Sequence, residues 1–253
     1  MSARVTAVAL LTVLLAAAPM SGGLVFVPAN TLPGADATAL AGSGATLWAA
    51  TPRGVWRLDA GTWILDGLSA RTISSVAVAD AVYAADGEKV WKRGADGTWS
   101  AETLPAGLVF PSLLATDGTA LWAAGVGVAK RSSGAWALLA NPGGLVTAAA
   151  VVSGDLVVGL RGGAAQYAGA AVTPISSGLP ATSTVQALGL ANGTLYAGTD
   201  QSLYYFAGVW NVVSGFGAHD VRAITGVGGT MRAATADAGV LSYAGTWQAT
   251  NAG

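Results

Sequence analysis

Short apolar runs alternate with turn clusters along most of the chain. In the first full example, Thr38-Ala39-Leu40-Ala41 is followed by Ser43-Gly44, then Leu47-Trp48-Ala49-Ala50, the breaker Pro52-Arg53-Gly54, Val55-Trp56-Arg57-Leu58, the pair Ala60-Gly61, and finally Trp63-Ile64-Leu65. Runs of this length, rich in β-branched and aromatic residues and bounded by Gly, Pro, Asn and Asp, read as strands. Four of them joined by a few turn residues each make one antiparallel meander.

The grammar repeats. A turn glycine, a small residue and a tryptophan recur at Gly61-Thr62-Trp63, Gly97-Thr98-Trp99, Gly134-Ala135-Trp136, Gly208-Val209-Trp210 and Gly245-Thr246-Trp247, with the tryptophans 36, 37, 74 and 37 residues apart. The long step is two periods, and Gly169-Ala170-Ala171-Val172 fills the gap, with Val172 in the place of the indole. A fixed period of this length means stacked supersecondary units. Six repeats result. Second strands open at Leu47, Val82, Leu121, Leu156, Leu195 and Met231, and later strands centre on Val90, Val128, Ala164, Leu203 and Val240. The turns before the second strands carry Asp117-Gly118, Gly154-Asp155, Asn192-Gly193 and Gly228-Gly229, types that tolerate the positive φ of primed hairpins. Turn signals this dense leave no room for helices.

The strands are apolar on both alternating faces, so each sheet must be covered on both sides. Small residues such as Ala39, Ala77, Ala149, Ala187 and Ala223 occupy the first strands, where units converging on an axis have least space. Tryptophans open the fourth strands, at the wide rim. The expected fold is all-β, a six-bladed β-propeller of four-stranded antiparallel blades over residues 37–253. The chain resembles the broad class of two-component-regulator sensor propellers, sialidase-type Asp-box (BNR-like) repeats and photosystem assembly-factor propellers. Asp96-Gly97-Thr98-Trp99 comes nearest to an Asp-box, with a shorter spacing, and the Gly-His and Trp-Asp marks of WD40 blades are missing. The last repeat owns a fourth strand, Trp247-Gln248-Ala249-Thr250. A surplus strand at Leu24-Val25-Phe26-Val27, within an N-terminal segment 24–36, therefore has three uses open to it: pairing with the last blade, a tail, or an edge that recruits a neighbour.

Ahead of that segment, Arg4 precedes an apolar run over residues 5–18 and then Pro19-Met20-Ser21-Gly22-Gly23, the shape of a secretory signal peptide over residues 1–23. Export to the periplasm or medium is the expected location, with membrane attachment if the leader is retained. The 253 residues carry 12 Lys plus Arg against 13 Asp plus Glu and one His, which leaves no basic field to hold a nucleic acid. The lack of cysteine excludes disulfides, thiolate metal sites and a cysteine nucleophile.

Loops between blades, and between second and third strands, should emerge together on one face around the axis. They carry Arg53, Arg71, Glu88, Lys89, Arg161, Asp200, His219, Asp220 and Asp237, the candidate ligand-binding residues. A lone histidine builds no multi-histidine metal site, and no cofactor motif is present. His219-Asp220 is the one candidate for general-base chemistry. Arg53, Arg161 and Arg232 suggest an arginine cluster of the sialidase kind, without the tyrosine and glutamate that would complete it. Trp48, Trp56, Trp91 and Trp122 read as packing between blades, whereas Tyr204-Tyr205 and Phe216 are candidates for exposed stacking. Asn192-Gly193-Thr194 is both a glycosylation sequon and a hairpin turn. Together these features point to an exported, non-catalytic scaffold that binds a protein or glycan partner through the loop face. The alternatives are a glycan hydrolase or lyase, and a structural subunit that assembles with copies of itself through the N-terminal strand.

Overall fold

The computed structural model describes residue 32 and residues 36–44, 46–227 and 230–250. Both the leader and the strand expected at residues 24–27 lie outside the described residues. Those described contain strands and turns, and no helix long and apolar enough to cross a membrane.

Six antiparallel sheets follow one another along the chain. Blade one holds β1 (Ala39–Ser43), β2 (Thr46–Thr51), β3 (Gly54–Asp59) and β4 (Thr62–Gly67). Blade two holds β5 (Ser75–Val78), β6 (Val82–Ala85), β7 (Val90–Arg93) and β8 (Trp99–Ala101). Blade three holds β9 (Val109–Thr116), β10 (Leu121–Ser132) and β11 (Ala135–Leu138). The second and third strands of blade three are one continuous segment: Leu121 to Ala124 pair with β9, Ala129 to Ser132 pair with β11, and Gly127, at φ 92°, lies between. Blade four comprises β12 (Ala148–Val152), β13 (Asp155–Leu160), β14 (Gly163–Ala168) and β15 (Ala171–Pro174). Blade five comprises β16 (Val185–Ala191), β17 (Thr194–Thr199), β18 (Leu203–Phe206) and β19 (Trp210–Val212). Blade six comprises β20 (Val221–Val227), β21 (Thr230–Thr235), β22 (Gly239–Tyr243) and β23 (Trp247–Ala249). This is the six-bladed propeller that the repeat predicts.

Primed turns set the register. Asn192 and Gly193, at φ 51° and 75°, close the β16–β17 hairpin, a type I′ requirement met by the two residue types that reach it at least cost. In blade four the turn pair is Ser153-Gly154, one residue earlier than the Gly154-Asp155 expected, because Asp155 already pairs with Val152.

Period-two alternation fills the seams between blades. In β10, Leu121 and Ala123 pack toward blade two with Tyr83 and Val90, while Trp122 and Ala124 pack toward blade four with Leu156 and Val158. Equivalent clusters join blades one and two, four and five, and five and six. Among the described residues no such cluster joins blade six to blade one.

The recurring tryptophan has a second task beyond filling the rim. Its indole N–H donates to an acceptor three residues beyond the previous blade's tryptophan position: Trp99 to the Asp66 carbonyl at 3.2 Å, Trp136 to Glu102 Oε2 at 2.9 Å, and Trp210 to the Ile175 carbonyl at 2.5 Å. Blade four, which has Val172 instead, uses the Tyr167 hydroxyl opposite it, which donates to the Ala140 carbonyl at 2.7 Å. Each link ties one blade to the next. Of these indoles only Trp210 is fully buried, and the Trp247 Nε1 is buried without a partner as its ring stacks edge-on against Phe216.

Candidate functional site

Just before the first strand in five blades, and within β9 in blade three, stand Thr38, Ser74, Ser112, Thr147, Thr184 and Asp220, five hydroxyls and one carboxylate in equivalent places. Three of these hydroxyls donate across to the next blade's backbone: Thr38 to the Ile73 carbonyl at 2.7 Å, Ser74 to Ser112 at 2.8 Å and Thr147 to Val185 at 2.5 Å. Inside this ring lies a cavity of about 960 Å³, lined from blades two to six by Ser74, Ser112, Leu113, Val146, Thr147, Thr184, Gln186, Asp200, Asp220, Arg222 and Ala236. Its volume falls at the upper end of the ~300–1,000 Å³ of small-molecule sites.

The ring is not uniform. Two residues after the ring position stand Leu40, Val76, Leu114 and Ala149 in the first four blades, but Gln186 and Arg222 in blades five and six. In blades one, two and four the strand runs through this position in regular register. In blades five and six the register shifts between Val185 and Ala187 and between Val221 and Ala223, so Gln186 and Arg222 are each the extra residue of a β-bulge. A bulge leaves one residue out of the ladder and re-aims its side chain. Here both side chains turn into the cavity and meet the same carboxylate. Gln186 Nε2 donates to Asp220 Oδ1 at 2.9 Å, and Arg222 Nη2 pairs with Asp220 Oδ2.

Four of the nine residues anticipated from sequence gather on this side. Asp200 and Asp220 line the cavity, and Asp200 Oδ1 accepts the Thr184 amide at 2.9 Å. Beside them Asp237 Oδ1 accepts the Asp220 amide at 3.3 Å, and Asp237 Oδ2 lies 2.7 Å from His219 Nδ1. A carboxylate only accepts, so the proton of that contact sits on Nδ1. The histidine's hydrogen bond holds the Asp237 carboxyl below the ordinary carboxylate range, against a smaller opposing effect of burial.

The other five lie elsewhere. Arg71, Glu88 and Lys89 surround Asp86 and Trp91 on blade two, at a separate hollow of about 200 Å³. Arg53 stands exposed in the β2–β3 turn, its amide on Thr51 Oγ1. Arg161 is exposed, and its backbone bridges to Thr184. Arg53 and Arg161 belong to blades one and four, which lie across the axis, and Arg232 lies within β21 paired to Ser242 and Thr225, so the three arginines form no cluster. Phe216 is 3% exposed and packs on Trp247 and His219, which removes it as a stacking platform; Tyr204 is also buried. Among the described residues no group of three or more His, Cys, Asp or Glu is placed to hold a metal ion.

Sequence reading passed over Gln186, Arg222 and the hydroxyl ring. Aligning the six repeats on the ring position displays all of them.

No family model and no curated protein sequence matches the chain. Solved structures do match in fold. The extracellular domain of BT4673 from B. thetaiotaomicron, described as a hybrid two-component system, superposes with a TM-score of 0.64 at 16% identity over 81% of this chain. The chain spans 31% of that ectodomain's length. A catalytically inactive histidine-to-alanine variant of virginiamycin B lyase from Staphylococcus aureus, solved with quinupristin, gives 0.68 at 11% identity over 84% of this chain and 82% of the lyase. The computationally designed protein Ika8 gives 0.62 at 19% identity, over 82% of this chain and 70% of the design. An extracellular domain of a two-component system, an enzyme and a designed protein thus share this architecture. Likeness at these identities establishes the fold, and function has to come from the site.

Proposed function

We propose that the chain is an exported binding module that takes a small polar ligand in the axial cavity, on the side of blades five and six. The observation that carries this reading is the pair of bulges that turn Gln186 and Arg222 onto Asp220 within the ring. A purely structural ring would close with regular strands, as in blades one, two and four. Asp200, His219 and Asp237 extend the same polar side. The fold's occurrence in an extracellular sensor domain is in keeping with a binding role outside the cytoplasm.

The test is a thermal-shift screen of polar metabolites and glycan fragments on the wild type and on Gln186→Leu and Arg222→Leu. Ligands that stabilise the wild type should lose their effect in both variants. Stabilisation that survives both substitutions, or a screen without a stabilising ligand, would overturn the reading.

A second reading, an enzyme of the lyase or hydrolase class, rests on the 2.7 Å His219–Asp237 contact beside the cavity. Turnover of a bound ligand that disappears in His219→Ala while binding persists would favour it.

A further inference from the structure

The cavity's hydrogen-bond inventory points to a class of ligand, given the binding reading above. The hydroxyl protons of Ser74 and Thr147 are spent on backbone carbonyls, which leaves each oxygen with lone pairs to offer. Gln186 turns its amide N–H toward Asp220, and its carbonyl oxygen remains an acceptor. Both Asp220 oxygens are engaged, one by Gln186 and one by Arg222. Asp200 is different. One of its oxygens takes the Thr184 amide, and among the described residues the other has no partner and no cation lies within ion-pair distance of it.

Two carboxylates against one guanidinium give the lining a surplus negative charge, and acceptors outnumber free donors. The N–H groups of Arg222 not spent on Asp220, together with the Ser112 and Thr184 hydroxyls, are the side-chain donors of the lining, suited to a hydroxyl or ring oxygen. A ligand complementary to this wall is itself rich in donors and carries a positive charge. We infer that the cavity selects a small ammonium-bearing polyol, an amino sugar, whose hydroxyls meet the ring oxygens and whose ammonium group meets Asp200.

Three probes on one ring skeleton separate charge from shape: D-glucosamine, D-glucose and D-glucuronate, titrated calorimetrically against the full chain at about pH 6.5, where an amine with a pKa near ~7.7 is mostly protonated. An ion pair to a solvent-accessible carboxylate should make glucosamine about fivefold tighter than glucose, with glucuronate the weakest of the three. Asp200→Asn keeps the oxygen that holds the Thr184 amide and removes the charge, so it should erase the glucosamine advantage over glucose. Added salt should narrow the gap in the wild type only. A preference that survives Asp200→Asn, or glucuronate binding tighter than glucose, overturns the inference. So does failure of all three sugars when another screened molecule binds, and in that case the binding reading stands. If nothing at all engages the cavity, both fall together.

Discussion

Asp86 should contribute more to stability than any other carboxylate of blade two, through four hydrogen bonds gathered on one side chain that is 3% exposed. Its Oδ1 accepts the amides of Glu88 and Lys89 at 2.9 and 2.7 Å, and its Oδ2 accepts Arg71 Nη1 at 2.6 Å and Trp91 Nε1 at 2.8 Å. Asp86→Ala strands these donors unequally. The two amides lie in an exposed turn and rehydrate, and Arg71, about a third exposed, recovers much of its solvation. Trp91, half-buried beneath the guanidinium, cannot. An orphaned donor costs ~1–3 kcal/mol and a lost hydrogen bond with a charged partner ~1.5–3. Discounting the exposed groups leaves a total of about 3 kcal/mol. Asp86→Asn is the sharper test, because an amide can satisfy the turn with its oxygen only by pointing its NH2 at two donors. About 2 kcal/mol should therefore be lost despite near-identical shape.

Burial by itself would raise the Asp86 pKa, but the Trp91 indole, the Lys89 and Glu88 amides and Arg71 together outweigh it and hold it below the ordinary value. A carboxyl depressed in the folded state contributes its stability above the unfolded pKa of ~3.9, and that contribution is lost as pH falls through the folded value. The gap between wild type and Asp86→Ala should thus be constant near neutrality and shrink below about pH 4. Urea unfolding at a series of pH values measures both effects. An Asp86→Asn protein within ~0.5 kcal/mol of wild type at neutral pH would refute the donor-clash reasoning.

Two further pairs of substitutions separate burial from backbone strain. Trp210→Ala removes a 2%-exposed indole together with its link to blade four and should cost about 4 kcal/mol, whereas Trp63→Ala, at a half-buried rim position of blade one, should cost no more than ~2. Equal urea midpoints for the two would contradict the clamp role of Trp210. At Gly178, φ is 95° and a Cβ would fall 2.0 Å from the Trp210 carbonyl oxygen, so Gly178→Ala should lose at least ~2 kcal/mol. Gly208→Ala shares the positive φ but meets open space, and its cost should stay near ~1 kcal/mol in the same assay.

The scaffold was legible because repetition multiplies weak signals. No single run of four apolar residues identifies a strand, but six copies of strand, turn, strand, turn and a tryptophan at fixed spacing do. Even the exception at Val172 was visible, although its remedy was not: that Tyr167 would donate in place of the missing indole depends on a cross-strand neighbour that the register alone supplies. Asp86 escaped notice because an aspartate in a Gly-containing turn reads the same whether it caps two amides or also anchors an arginine and a half-buried indole. Phe216 misled in the opposite direction. It stands in a Gly-rich loop, where exposure is the usual expectation, yet the loop folds back to seat the ring between His219 and Trp247.

The cavity residues illustrate how a repeat protein reveals a site. Six equivalent positions face the same demand of packing around one axis, and Leu40, Val76, Leu114 and Ala149 answer it with apolar side chains. A drift toward polarity with no use would leave the strands regular and send the polar group to water. Gln186 and Arg222 do otherwise. Each comes with a bulge that gives up regular ladder pairing, the two bulges lie in adjacent blades, and both side chains converge on Asp220, where the ring replaces its hydroxyl by a carboxylate. Three departures from one repeat pattern, clustered in space and joined by hydrogen bonds, are hard to obtain from packing alone, because packing would treat all six blades alike. They follow directly if this side of the mouth is shaped to hold a ligand, and the apolar seams beneath it, from blades one and two to blades five and six, then act as the rigid frame that keeps Asp200, Gln186 and Arg222 in place.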